Sequence, residues 1–61
     1  MTTPSWRIQL LVRDMDDKRF HREYFHVAAS REDLAVARAI RKATSNFDFV
    51  KPKPTDIQAW G

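Results

Sequence analysis

Cysteine is absent from this 61-residue chain, and glycine occurs only once, at Gly61. Without cysteine there is no disulfide, no thiolate metal ligand and no thiol nucleophile, which is typical of a protein from a reducing cytoplasm. Because the single glycine is terminal, the chain has no glycine-rich loop that would cradle a phosphate. These absences exclude the disulfide-stabilised secreted domains and the common nucleotide-binding motifs.

Long apolar runs are also missing. No segment approaches the roughly 18 apolar residues that a membrane span requires. The first residues, MTTPSW, have neither the charged start nor the apolar core of a signal peptide. The sequence therefore predicts a soluble, cytoplasmic protein that does not interact with membranes.

The length of the chain sets a limit on its core. A domain of 61 residues (1–61) buries only about 60% of the surface that its unfolded chain exposes. Hydrophobic residues make up 43% of the sequence, enough to predict a folded domain. The net charge of +3 and the pI of about 9.8 favour a nucleic acid or an acidic protein as partner.

Two segments alternate with the period of two that is typical of strands, at 6–13 and 19–29. In the first, one face carries Trp6, Ile8, Leu10 and Val12. In the second, Phe25, Val27 and Ala29 form the cleaner apolar set and are expected to join that core face. A one-residue bulge in the second strand would exchange its two faces. The acidic segment 14–18 between the strands predicts a hairpin connection.

A helix is predicted over 31–44. Ser30 followed by Asp33 resembles a capping box, with the serine oxygen accepting a helix N–H group. The apolar stripe expected to face the sheet consists of Val36, Ala37, Ile40 and Ala43, with Leu34 at its border. The helix is expected to end between Thr44 and Asn46, where asparagine can adopt a left-handed cap.

The short alternating segment Phe47 to Val50 is expected to add apolar cover at the edge of the core. The chain ends in a third predicted strand at 56–60, after the extended segment Lys51-Pro52-Lys53-Pro54. One face of this strand carries Asp56, Gln58 and Trp60, and Trp60 is expected on the open face of the sheet. The fold class is therefore α+β, a single β-β-α-β domain. Placing the third strand beside the first gives a three-stranded antiparallel sheet of order 2-1-3. One helix packs on one face of this sheet, and the other face stays open.

The titratable residues give little support to catalysis or metal binding. His21 and His26 are five residues apart on a strand, so they point to opposite faces and cannot share a metal ion. The acidic turn lacks the glycine and the distant glutamate of a calcium loop. His21 and Glu23 share a face and form one acid–base candidate, close to the core. We expect a non-enzymatic protein without cofactor or metal.

Two basic surfaces remain as candidate binding sites. On the open face of the sheet, basic and aromatic side chains interleave: Arg7, Arg13, Phe20, Arg22, Tyr24 and His26. On the outer face of the helix, Arg38 and Lys42 offer an alternative contact. Arginines contact phosphates and aromatic rings stack on bases, so both surfaces suit a nucleic acid, whether DNA or RNA.

The leading hypothesis is a small non-catalytic protein that binds nucleic acid. The alternative is a protein–protein interaction module, either an inhibitor of an acidic host protein or a subunit of a homodimer, because tyrosine and arginine are also enriched in protein interfaces. The order of hairpin, capped alanine-rich helix and last strand looks like many small β-β-α-β proteins, some of them phage-encoded or ribosome-associated, and no motif here names a family. In its brevity the chain resembles a small accessory protein of a phage or mobile element.

Overall fold

The computed structural model describes residues 3–60, so Met1, Thr2 and Gly61 lie outside the described part. Its elements in chain order are β1 Ser5–Arg13, β2 Phe20–Ala28, α1 Glu32–Thr44, β3 Phe49–Val50 and β4 Asp56–Trp60. The strands form one antiparallel sheet, and the helix packs against its apolar face. The predicted α+β class is confirmed. Within residues 3–60, no helix is long and apolar enough to cross a membrane.

The acidic segment between β1 and β2 forms the predicted hairpin turn. Asp14 donates its backbone N–H to the Arg19 carbonyl (2.9 Å), and Lys18 donates to the Asp14 carbonyl (3.1 Å). Lys18 takes a φ of 61°, in the left-handed region. The Asp14 and Asp17 carboxylates accept the backbone N–H groups of Asp16 and Arg19. The aspartates therefore shape the turn through their short side chains.

The register of the hairpin is continuous from Ser5 opposite Ala28 to Arg13 opposite Phe20. Since β2 has no bulge, alternate side chains stay on one face along its whole length. The predicted faces of both strands are confirmed. The buried side chains that the two strands and the residue after β2 contribute to the core are Ile8, Leu10, Val12, Phe25 and Ala29.

The other edge of β1 pairs with two short strands, whereas the sequence predicted one. β4 pairs with residues 5–9 of β1, as predicted for the last strand. β3 pairs with residues 12–13 of β1 and is a strand that the sequence did not predict. The sheet therefore has four strands, not three, and β1 lies at its centre.

The loop between β3 and β4 keeps to the edge of β1 without forming a ladder. Its five residues, 51–55, stand opposite only Leu10 and Leu11. The first and last loop residues donate N–H groups to the Leu11 and Gln9 carbonyls, both at 2.9 Å. Pro52 and Pro54 have no N–H to donate, so the regular pairing is interrupted between these two bonds.

The start of the helix differs from the prediction. Arg31 occupies the N-cap position with an extended backbone (φ −140°, ψ 157°), and no side chain caps the helix. Ser30 stands one position too early to act as the cap, so the predicted pairing of Ser30 with Asp33 is wrong. Instead, the Asp33 carboxylate accepts hydrogen bonds from the Arg31 guanidinium at 3.0 and 3.3 Å. These bonds lower the pKa of Asp33.

The face that the helix turns to the sheet also differs from the prediction. Its fully buried residues are small and recur every four positions: Ala35, Ala39 and Ala43. Val36 and Ile40 flank this stripe and are half-buried, while Ala37 is exposed. The expectation that Ala37 is buried is therefore wrong. Small side chains at the line of closest contact allow the helix backbone to approach the sheet, and the larger ones fill the sides.

The helix ends at Thr44, as predicted, but without a left-handed cap. Ser45 is the C-cap residue in a right-handed conformation (φ −79°, ψ −13°). The side chains of Thr44, Ser45 and Asn46 donate hydrogen bonds to the carbonyls of Arg41 or Lys42. Side chains therefore satisfy the Arg41 and Lys42 carbonyls, while the Ala43 carbonyl accepts the backbone N–H groups of residues 45–47. Asn46 contributes its amide and not a positive φ.

Candidate nucleic-acid interface

The helix covers one face of the sheet, and we call the opposite face the open face. Because strand side chains alternate between faces, the pairing assigns residues of all four strands to it. Its polar and apolar members are Arg7, Gln9, Leu11, Arg13, Phe20, Arg22, Tyr24, His26, Phe49, Asp56, Gln58 and Trp60. The six residues predicted for a sheet site all lie here.

A first cluster surrounds Arg7 near one end of the open face. The Arg7 guanidinium carbon lies 4.7 Å from the centre of the Tyr24 ring and 5.6 Å from that of Trp60. Its Nη2 donates to Gln58 Oε1 at 2.7 Å. The His26 ring stacks on Trp60, with centroids 6.4 Å apart. The guanidinium is therefore held between two rings and an amide, so its position is set before any ligand arrives.

A second cluster surrounds Arg13 at the other end. The Arg13 guanidinium carbon lies 5.8 Å from the centre of the Phe20 ring, which contacts Phe49 edge to face at 6.0 Å. Arg13 Nη2 and Lys18 Nζ both donate to Asp48 Oδ2, at 2.7 and 2.9 Å. The bonds from Lys18 and Arg13 lower the pKa of Asp48. The carboxylate orients both cations and offsets part of their charge.

Arg22 lies between these clusters on the open face, directly opposite Leu11. Its side chain is exposed and forms no ion pair or hydrogen bond with another side chain in residues 3–60. Of the three arginines on the open face, it therefore has the guanidinium with the fewest constraints. Phosphate contacts use such groups.

The aromatic rings of the open face are accessible. The half-exposed rings are Phe20 (55%), Tyr24 (45%), Phe49 (45%) and Trp60 (47%). They account for four of the five large hydrophobic side chains found exposed in the described part of the chain, and the fifth, Met15, lies in the hairpin turn. The exposed aromatic rings in the described part of the chain are therefore concentrated on one face of the sheet.

The helical candidates Arg38 and Lys42 do not reach the open face. Arg38 donates to the Ala28 carbonyl, and Lys42 Nζ donates to the His26 carbonyl at 3.0 Å. Both side chains therefore lie along the outer edge of β2. The structure brings them together with each other but separates them from the arginines of β1.

The acid–base candidates lie on the helix side of the sheet. His21 Nε2 and Glu23 Oε2 are 3.0 Å apart, and the His21 ring contacts Phe47 edge to face at 5.5 Å. His26 is on the opposite face, as the spacing predicted. Residues 3–60 contain no pocket and no group of three metal-ligating side chains. The His21–Glu23 pair therefore lies at the exposed margin of the core.

Five residues of the two clusters were not among those predicted for the site: Lys18, Asp48, Phe49, Gln58 and Trp60. Phe49 and Asp48 were missed because Phe47 to Val50 was expected only to cover the edge of the core. The alternation of Phe49 with Val50 was the signal, since it places Val50 on the core side and Phe49 on the open face. Trp60 was assigned to the correct face but not to the nucleic-acid site.

Comparison with known proteins adds no relative to these observations. No family model matches the chain, and neither a curated protein nor a solved structure matches it significantly. The arrangement of side chains on the open face is therefore the basis for inferring a function.

Proposed function

We propose that this chain is a non-catalytic, cytoplasmic protein that binds single-stranded nucleic acid on its open face. The observation that carries the proposal is the pair of guanidinium–aromatic contacts, Arg7 with Tyr24 and Arg13 with Phe20, at half-exposed rings. Each exposed ring offers a stacking surface worth about 1–3 kcal/mol per base. Each guanidinium beside it offers donors to a phosphate.

The size of the open face suits a strand of several nucleotides. Arg7 and Arg13 are on the same strand, six residues apart, which corresponds to about 20 Å at roughly 3.3 Å per residue. Arg22 lies between them on the neighbouring strand, so positive groups follow one line across the face. A backbone along this line would place its bases over the rings on either side.

The net charge of the open face is modest, because Asp48 pairs with Arg13 and Asp56 lies on the same face, opposite Gln9. This predicts a weak salt dependence. Each phosphate contact on a single strand contributes about −0.7 to the slope of log K against log salt. Three arginine contacts therefore predict a slope of about −2.

The experiment is a salt titration of binding to a fluorescently labelled oligothymidine, between about 50 and 200 mM salt. We expect a slope of about −2 for the wild type and about −1.4 for Arg22→Ala, which removes one contact. Arg41→Ala on the exposed side of the helix is the matched control and should not change the slope. Undetectable binding at low salt, or binding insensitive to salt, contradicts the proposal.

A protein partner is the second candidate, and the contact between Phe20 and Phe49 favours it. These rings form an apolar patch at the end of the face, beside the paired Asp48. In this case an acidic host protein covers the open face, as a phage-type inhibitor would require. Arg22→Glu combined with Tyr24→Ala should abolish such a complex without unfolding the chain.

A pull-down from the native host, with and without nuclease, separates the two candidates. Loss of the bound material after nuclease treatment supports the nucleic-acid proposal. A protein retained after nuclease, and released by the double substitution at Arg22 and Tyr24, supports the protein partner.

A further inference from the structure

The outer edge of β2 exposes a short run of unpaired backbone groups. The Arg19 carbonyl accepts the N–H of Asp14 across the hairpin, so the backbone N–H and C=O groups of odd-numbered residues of β2 bond to β1. The backbone groups of even-numbered residues point away from β1, toward the outer edge. Phe20, Arg22 and Tyr24 are the residues of this edge whose outward N–H and C=O groups both form no hydrogen bond within residues 3–60. Such an edge is a template for another strand.

The rest of the same edge is closed by the helix. Arg38 and Lys42, one turn apart on α1, donate to the outward carbonyls of Ala28 and His26. Basic side chains that occupy edge carbonyls prevent strand addition at those positions. Within the described residues, both outward groups are therefore free only at residues 20, 22 and 24, whereas His26 and Ala28 keep a free N–H but an occupied carbonyl, which limits the register of any strand that pairs with this edge.

We propose that a second copy of this chain pairs with this edge, antiparallel and centred on Arg22. In this register, Arg22 faces the partner's Arg22, and Phe20 faces the partner's Tyr24. These three pairs exchange two backbone hydrogen bonds each, about six in all. A register shifted by two residues toward the end of β2 would need the His26 carbonyl, which Lys42 already occupies. The centred register is the one that uses every residue of the edge whose N–H and C=O groups are both free.

Charge complementarity supports a second copy as the occupant. In the same register, the hairpin turn of one copy runs beside residues 26–28 of the other. Asp16 and Asp17 of the turn therefore approach the partner's Arg38 and the partner's Lys42. On the helix side, His21 faces the partner's Glu23, which repeats between chains the contact seen within one chain at 3.0 Å. The acidic turn and the basic helix edge thus complement each other twice in a symmetric dimer.

Two contacts oppose the pairing. In the centred register Lys18 falls opposite the partner's His26, whose carbonyl accepts from the partner's Lys42, so two cations meet there. The two Arg22 side chains face each other on the open side, and like charges at directly opposite positions destabilise a sheet. Removing the Arg22 charge should therefore strengthen the dimer, because it removes this repulsion. Removing the Arg22 N–H should abolish the dimer, because it removes the central backbone hydrogen bonds. In the dimer, both open faces lie on the same side of one eight-stranded sheet. This inference does not depend on what the open face binds.

The first experiment is sedimentation equilibrium of the nucleic-acid-free chain. We expect a dimer for the wild type and a dimerisation constant at least a few-fold tighter for Arg22→Ala. Arg22→Pro removes the outward N–H group of residue 22. It leaves every hydrogen bond between β1 and β2 in place, because proline is tolerated where the N–H of an edge strand faces outward. It should be monomeric with an unchanged circular dichroism spectrum. A monomeric wild type overturns the proposal, as does a dimer that is unaffected by Arg22→Pro.

Disulfide trapping tests the register and decides the matter if Arg22→Pro fails to fold. The chain has no native cysteine. Directly opposed residues have Cα atoms about 5.5 Å apart, within the disulfide range of roughly 4.4–6.8 Å. Arg22→Cys should therefore cross-link with itself. Phe20→Cys and Tyr24→Cys should each fail to do so alone, and should cross-link when mixed. Self-cross-linking of Phe20→Cys as efficient as that of Arg22→Cys overturns the register.

Discussion

The guanidinium of Arg7 lies over the ring of Tyr24, 4.7 Å from its centre, although the two residues are not directly opposite in the sheet. Arg7 faces His26, and Tyr24 faces Gln9. The arginine therefore extends diagonally across the hairpin, a distance that long and aromatic side chains can bridge. Contacts of this kind are worth about 0.5–1 kcal/mol at exposed sites. This contact fixes the position of the Arg7 guanidinium relative to the Tyr24 ring.

Tyr24→Ala should weaken binding of an oligothymidine by about 5- to 150-fold, because it removes a stacking surface worth about 1–3 kcal/mol. It also frees Arg7 from one of its two rings. Fluorescence anisotropy at constant salt measures the loss. Met15→Ala is the control, since Met15 is equally exposed but lies in the turn. Equal losses for the two variants would contradict a specific role for the open face.

The stability of the chain should fall as the pH is lowered through the folded pKa of Asp48. Hydrogen bonds from Lys18 and Arg13 lower this pKa from its ordinary value of 3.8. Because the pKa of Asp48 is lower in the folded than in the unfolded chain, the ionised carboxylate stabilises the fold at pH values above the unfolded pKa. This contribution begins to be lost below the unfolded pKa and is fully lost below the folded pKa. Urea unfolding at about pH 7 and about pH 3 measures how much the free energy of unfolding falls between them, and Asp48→Asn should reduce that fall. Asp56→Asn, a carboxyl without an ion pair in residues 3–60, should leave it unchanged.

Arg31→Ser should stabilise the chain by about 0.5–1 kcal/mol, because it places a capping hydroxyl at the N-cap position, which has none. The gain exceeds the loss of the Arg31–Asp33 ion pair, because both side chains are exposed and water screens their attraction. Thermal unfolding measures the change. Ser30→Ala is the companion variant and should be nearly neutral. A larger loss for Ser30→Ala would show that Ser30 is the cap after all.

Ala39→Leu should destabilise the chain by about 1–3 kcal/mol, because the added atoms have no space between the helix and the sheet. Denaturant unfolding measures the effect. Ala37→Leu adds the same atoms on the exposed side of the helix and should change the stability by less than about 0.5 kcal/mol. Comparable losses at both positions would contradict the alanine interface.

The faces of β1 and β2 followed from local pattern, and so did most of the candidate site. Alternation with a period of two requires Arg7 and Arg13 to share a face, and it does the same for Arg22 and Tyr24. The apolar set Phe25, Val27 and Ala29 was enough to decide which face meets the helix. What the pattern lacks is the angle of the helix about its own axis, because Ala37 and Ala39 are equally apolar.

The sequence by itself determined a one-helix antiparallel domain with a basic and aromatic open face, because strand and helix periodicities are local properties. Only the tertiary structure decided that Phe49 contacts Phe20 and that Trp60 contacts Arg7, since each pair joins segments far apart in the chain. It also decided that Arg38 and Lys42 occupy the edge of β2 instead of facing a ligand. Those positions depend on how closely the alanines allow the helix to approach the sheet, and contacts between distant segments set that distance.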